Sequence, residues 1–214
     1  QVLLSLRYHT EGGFREEHTL VDDQVMSFGE LKVEGAKEST IPFDDLDLRP
    51  RLRKVWRILP DDHITIFIHE RACRAMVRQS FDNPTEEIGG LMLGGYYTDK
   101  ERPFVVVEDV VAAQHVLSSS HSLKFTHETW GAMTRELAKR KERRRTVGWY
   151  HSHPKSAAFL SEDDQFIHHN FFNQPWQVAV VVSVRDQVLA TFQWREDVLV
   201  GRCGYYLIEA PASE

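Results

Sequence analysis

The chain has 214 residues, 42% of them hydrophobic and 27% charged, with a formal charge of −6 at neutral pH. That length gives room for one domain of roughly 150 residues plus an extension, with a core of ordinary size. The acidic balance excludes a global basic field, so neither nucleic acid nor anionic membrane is an expected partner, and no apolar run approaches the roughly 20 residues that span a bilayer.

Cys73 and Cys203 are isolated from each other. They fit a reducing cytoplasm, which is the expected location, and they exclude a C-x-x-C zinc or redox motif. No signal peptide is visible from Gln1 onward, and there is no internal repeat.

Residues 1–62 read as a β-rich extension of unassigned role, either an appendage packed on the main domain or a docking element. Val2, Leu4, Leu6 and Tyr8 alternate with Leu3, Ser5 and Arg7, which predicts a strand. Residues 30–34 alternate cleanly and predict another, with a polar, acidic connector between the two. Residues 40–47 read as loop. Leu52, Val55, Trp56 and Leu59 have helical spacing and predict a helix over 49–59.

The main domain is expected over 63–208, followed by a short tail over 209–214. A strand is predicted over 64–68. A helix follows over 69–81, ended by Asn83-Pro84. Residues 86–97 form an apolar strand with an acidic start and a glycine-rich middle. Further strands are expected over 104–111 and 123–125, then a helix over 128–141 with Trp130, Met133 and Leu137 on one face. The basic run at its end, 139–145, suits the negative end of the helix dipole better than an anionic docking patch. Next come a buried strand over 146–150, a helix over 163–172, and strands over 178–183 and 188–194 with a turn at Arg185-Asp186. Residues 203–208 are expected to close the sheet. Helices mixed with neighbouring strands make this an α/β fold.

The chemistry is concentrated in Thr146-Val-Gly-Trp-Tyr-His-Ser-His-Pro154. Side chains at i and i+2 of an extended strand point the same way, so His151 and His153 converge on one point. Asp164 follows eleven positions after His153. Two imidazoles and a carboxylate suit a catalytic zinc ion with its fourth position open to water. Ser161-x-x-Asp164 also reads as a helix capping box, which explains both residues without any metal. A hydrolytic metal site needs a general base, and Glu87 is the candidate, with Glu86 its competitor.

Other histidines read as surface or packing residues, His63, His168 and His169 among them. Neither His69-Glu70 nor His127-Glu128 completes H-E-x-x-H, because Cys73 and Gly131 stand where the second histidine belongs. Trp149 and Tyr150 read as strand core rather than as substrate contacts.

Glu87-Ile-Gly-Gly-Leu-Met-Leu-Gly94, then Gly148-Trp-Tyr-His-Ser-His-Pro154, then Ser161-Glu-Asp-Asp164 resembles the JAMM/MPN+ (JAB-type) metalloprotease signature. That signature is an upstream glutamate, H-x-H, seven residues, and S-x-x-D; residues 154–160 supply the seven. Aligning it selects Glu87 over Glu86. The resemblance implies an MPN/JAB-like mixed β-sheet sandwiched by helices. It implies one zinc ion on His151, His153 and Asp164, Glu87 as proton carrier and Ser161 as oxyanion donor. It also implies cleavage after the C-terminal glycine of ubiquitin or a ubiquitin-like protein. Residues 155–159 depart from the glycine-rich stretch of the proteasomal members, and the chain looks more like a stand-alone prokaryotic JAB-type enzyme. Such enzymes are often encoded beside ubiquitin-like proteins and conjugation enzymes, some in antiphage systems. The competing expectations are a non-catalytic MPN scaffold and a zinc hydrolase of a small molecule or free peptide.

Overall fold

The structure is a computed structural model that describes residues 2–10, 13–21, 52–54, 64–99, 102–113, 117–118, 123–124, 127–139, 144–195 and 198–209. The chain divides into two units, Gln1–Lys37 and Glu38–Glu214. In the first, β1 (Val2–Thr10) pairs antiparallel with β2 (Gly13–Val21) as a hairpin. The second strand lies where a polar connector was expected. Its backbone register sets Glu16 opposite Arg7, and Thr19 and Leu20 opposite Leu4 and Leu3. Strand formation here follows from the partner segment and not from local alternation. The expected strand over 30–34 and loop over 40–47 lie outside the described residues.

The second unit is built on a nine-stranded mixed sheet in the order β12-β11-β10-β9-β5-β6-β4-β13-β3. At one edge β3 (Leu52–Lys54) pairs antiparallel with β13 (Tyr205–Ile208). This corrects the expected helix in that stretch: pairing with an open sheet edge outweighs the local spacing of apolar residues. β13 also corrects the expectation for 203–208. It pairs parallel with β4 (Thr65–His69) inside the sheet, while the outer position at the other end belongs to β12 (Val198–Cys203), a strand not anticipated.

The middle of the sheet carries the motif strands. β5 (Gly89–Asp99) lies between β6 (Arg102–Ala112) and β9 (Arg145–His153), antiparallel to both. The short β7 (Leu117–Ser118) and β8 (Leu123–Lys124) form a separate ladder. β9 runs parallel to β10 (Val178–Ser183), and parallel neighbours need a crossover. That crossover contains α3 (Glu162–Phe171), so the start of α3 follows directly from the end of β9. β11 (Val188–Arg195) returns antiparallel to β10.

The helices lie on both faces. Tyr150 of β9 hydrogen-bonds through its hydroxyl to Gln79 of α1 (Glu70–Asp82), whereas Trp149, on the opposite face, bonds to His168 of α3. α2 (His127–Lys139) packs toward β6 and buries Thr129 and Met133. The core is aliphatic and β-branched: Ile64, Ile66, Ile68, Val105, Val107, Val147, Val178 and Val180 are all at most 1% exposed. The sheet curls. Ile64 N donates to Gln193 Oε1 at 2.8 Å and Gln193 Nε2 donates to Ile64 O at 3.3 Å. Flat packing at about 4.8 Å per strand would hold β11 and β4 far beyond that reach.

Gly90 and Gly148 are among the glycines demanded by close approach. A Cβ on Gly90 would lie 2.2 Å from Val111 O and 2.8 Å from the Tyr150 ring. Gly148 has φ of +154°, and a Cβ there would lie 1.8 Å from Val178 O. Both a disfavoured dihedral and a backbone collision oppose any side chain at 148. Gly148→Ala is therefore expected to lower the unfolding free energy by about 3 kcal/mol or more, which urea denaturation of the purified variant would measure.

Candidate metal centre

β9 positions the centre. Trp149, His151 and His153 share one face of the strand, and all three are buried. His151 Nε2 and His153 Nε2 are 3.1 Å apart. The His153 ring is fixed by its other nitrogen, which lies 2.8 Å from Ala157 O. A carbonyl can only accept, so Nδ1 carries the proton and the neutral ring presents a lone pair at Nε2. The loop that supplies Ala157 is itself held. Ser183 Oγ donates to Ser156 O at 2.7 Å, Val184 N donates to His153 O at 3.0 Å, and Arg185 Nη1 donates to Lys155 O at 3.2 Å.

α3 brings the carboxylate. Ser161 is its N-cap, and the capping box is complete. Asp164 N donates to Ser161 Oγ at 3.2 Å, and Ser161 N donates back to Asp164 Oδ2 at 2.8 Å. The cap does not compete with convergence on the imidazoles. The same Oδ2 lies 3.3 Å from His151 Nε2 and 3.7 Å from His153 Nε2. The capping and ligand readings of Asp164 therefore hold together. The Ser161 hydroxyl also donates to Oδ2, at 2.7 Å.

Glu87 and Glu86 are separated by burial. Glu86 is exposed, while Glu87 is 6% exposed and its Oε1 lies 4.0 Å from His153 Nε2. The β5–β9 register sets this position. Gly89 pairs with His151, and beyond it Ser152 N donates to Ile88 O at 2.8 Å while Ile88 N donates to Ser152 Oγ at 3.0 Å. Ser152 was not singled out in the sequence. Its place between the two histidines, on the opposite side of the strand, was the available signal.

The electrostatics are those of a cation site. Burial pushes the Asp164 pKa up, but attraction to His151, the close approach of both imidazoles and the bond from Ser161 together hold it below the usual carboxylate range. Burial pushes His153 down, yet the approach of Asp164, the bond to Ala157 O and the nearby Glu87 charge leave it above its ordinary value. Two buried carboxylates facing two imidazoles require positive charge among them.

The donors fit zinc. His151, His153 and Asp164 each offer one ligand atom, all within 4.8 Å of one another. Tetrahedral ligands about 2.0–2.2 Å from zinc are separated by roughly 3.3–3.6 Å. The observed 3.1, 3.3 and 3.7 Å bracket that spacing. Zinc chemistry prefers imidazole nitrogen and carboxylate oxygen in such a set, with one position open.

Comparison with known proteins agrees. The JAB1/Mov34/MPN/PAD-1 ubiquitin protease family matches residues 61–174. The chain belongs to this family, and the buried His151, His153 and Asp164 fit its JAMM metal motif. No curated protein matches the chain. Among solved structures it is similar to a solution structure of a protein from Desulfitobacterium hafniense, at 20% identity over 68% of this chain and 93% of that one, with a TM-score of 0.44.

Next to the centre lies a histidine that reads from the sequence as a surface or packing residue. His168 is fully buried, and Trp149 Nε1 donates to its Nδ1 at 2.9 Å. Burial, with the neighbouring His169, pushes its pKa down to about 3. A histidine depressed in the folded state contributes stability above its unfolded pKa, near 6.5, and that stability is lost as pH falls toward the folded value. Between about pH 6 and pH 4 the unfolding free energy of the wild type should therefore fall by about 1.4 kcal/mol per pH unit more steeply than that of His168→Phe, measured by denaturant titrations of both proteins.

Proposed function

We propose that this chain is a zinc-dependent isopeptidase that cleaves after the C-terminal glycine of a ubiquitin-like protein, in deconjugation or in maturation of a precursor. The observation that carries it is the convergence of His151, His153 and Asp164 within 4.8 Å, with Glu87 Oε1 4.0 Å from His153 Nε2. A zinc ion held by the two Nε2 atoms and the Asp164 carboxylate supplies Lewis acidity and water made acidic enough to react near neutral pH.

The chain's own groups do the rest. Glu87 accepts the proton of the attacking water and delivers it to the leaving amine as the carbon–nitrogen bond breaks. Its burial beside His153 keeps it within reach of the centre and shielded from bulk solvent. Ser161 Oγ lies 2.7 Å from the Asp164 ligand oxygen, and it serves the developing oxyanion by releasing its bond to Asp164. Phe159 packs edge-on against His153, with ring centroids 4.9 Å apart, and is 47% exposed. It gives the approach to the centre an apolar wall.

The implied partners are the ubiquitin-like protein and its conjugation enzymes, in a bacterial pathway of the kind used in antiviral defence. The isolated cysteines favour the cytoplasm. Among the described residues no helix is long and apolar enough to cross a membrane.

The test is incubation of zinc-loaded protein with ubiquitin-like proteins fused after their terminal glycine to a reporter. Cleavage at that glycine is expected, and Glu87→Gln should lower the rate about 10²- to 10⁴-fold with zinc retained. Full activity in that variant would remove Glu87 from the mechanism. Zinc binding with no cleavage of any such fusion would favour a hydrolase of small molecules or free peptides. Absence of zinc from the wild type would favour a scaffold.

A second expectation concerns pH. Zinc needs the neutral His153 ring, and that ring is held above its ordinary pKa. Zinc affinity should therefore begin to fall at a pH above the ordinary histidine value of about 6.5. Chelator competition across a pH series reads this directly; an onset only below that value would contradict it.

A further inference from the structure

The two imidazoles of the centre are held differently. A metal-binding histidine is ordinarily oriented by a hydrogen bond from its other ring nitrogen. His153 has one, to Ala157 O. His151 does not: its Nδ1 is buried and has no hydrogen-bond partner among the described residues. What lies against the His151 ring is the Trp149 indole, stacked at 4.7 Å between centroids and 14° between planes.

That indole is anchored in turn. Trp149 Nε1 donates to His168 Nδ1, and an indole N–H can only donate, so His168 is the neutral tautomer with its proton on Nε2. His168 is locked from its far side. It lies 5.0 Å from the Trp194 ring and is stacked on Phe172 at 6.0 Å, while Trp194 Nε1 donates to Phe172 O at 2.8 Å.

The spacing makes a ladder with two rungs. Trp149 and His151 are two residues apart on β9, a rise of about 6.7 Å. Asp164 and His168 are four apart on α3, a rise of about 6 Å. The near-match lets Trp149 meet His168 while His151 meets Asp164, at 2.9 Å and 3.3 Å.

We infer that His168 is a positioning residue for the metal centre: it anchors the Trp149 indole, which holds the plane of the His151 ring, and it sets the register of α3 that brings Asp164 to the imidazoles. This rests on the metal-binding reading above. It adds that a histidine outside the signature does, through an indole, what a direct hydrogen bond does for His153.

The experiment compares zinc affinity by chelator competition in the wild type, H168N, H168Q, H168F and W149F, each confirmed folded by near-ultraviolet circular dichroism. Asparagine returns an acceptor near the Nδ1 position, glutamine puts it near Nε2, and phenylalanine keeps a ring with no acceptor. H168F, H168Q and W149F should bind zinc about 10- to 100-fold more weakly, and H168N should stay within about threefold of wild type. In metal-free protein the Trp149 indole N–H resonance should move in H168F and remain near its wild-type position in H168N. If H168F fails to fold, W149F and the asparagine–glutamine pair decide the matter. Wild-type affinity in H168Q and W149F would overturn the inference, and so would equal losses in H168N and H168Q. A wild type that binds no zinc would instead reject the metal reading itself.

Discussion

One carboxylate oxygen joins the start of a helix to the ligand set. Asp164 Oδ2 accepts from the backbone and the hydroxyl of Ser161, at 2.8 and 2.7 Å, and faces both imidazoles, at 3.3 and 3.7 Å. The first pair of contacts starts a helix. The second pair closes a ligand set. A carboxylate 4% exposed survives in ionised form only because each of these groups favours its charge. Remove the cap and the helix start is free to move off the imidazoles. Remove the imidazoles and a buried anion loses the groups that compensate it, so the start of α3 and the end of β9 stabilise each other.

The sheet makes that meeting reproducible. β9 and β10 are parallel, so the chain must leave the end of β9, cross over, and return, and α3 is part of that crossing. β5 runs antiparallel on the other side of β9, so its beginning lies beside the end of β9, where Glu87 reaches His153. Two consecutive segments and a third distant in sequence thus arrive at one strand end. Gly90 and Gly148 permit it by admitting the Val111 and Val178 carbonyls where a Cβ would collide.

Much of this was legible in the sequence because the strand period is strict. His151 and His153 share a face by alternation alone, and Ser161-x-x-Asp164 announces a helix start whatever else it does. Glu87 against Glu86 was not decidable from local pattern, since register, not composition, puts one acid inside and the other in water. Residues 13–21 and 52–54 were misread for a related reason. Their strands exist through partners, β1 and β13, and pairing is a property of two segments that a single stretch with weak alternation does not display. His168 looked like packing because nothing in its neighbourhood in sequence points to Trp149. The link appears only once α3 is laid against β9.

The uncompensated polar atoms have a pattern that this arrangement explains. Among the described residues the buried side-chain atoms without a hydrogen-bond partner are His151 Nδ1 and His168 Nε2. They belong to the two histidines on either side of the same indole, with Trp149 stacked on one and bonded to the other. A buried polar atom left unpaired costs about 1–3 kcal/mol, and a fold optimised only for stability would replace both rings with apolar ones. Retaining them here is intelligible if each ring is needed for its other nitrogen: His151 for Nε2 toward the centre, His168 for Nδ1 toward the indole. The expense falls beside the ligands and not elsewhere in the described core, as expected where stability is given up for the geometry of a site.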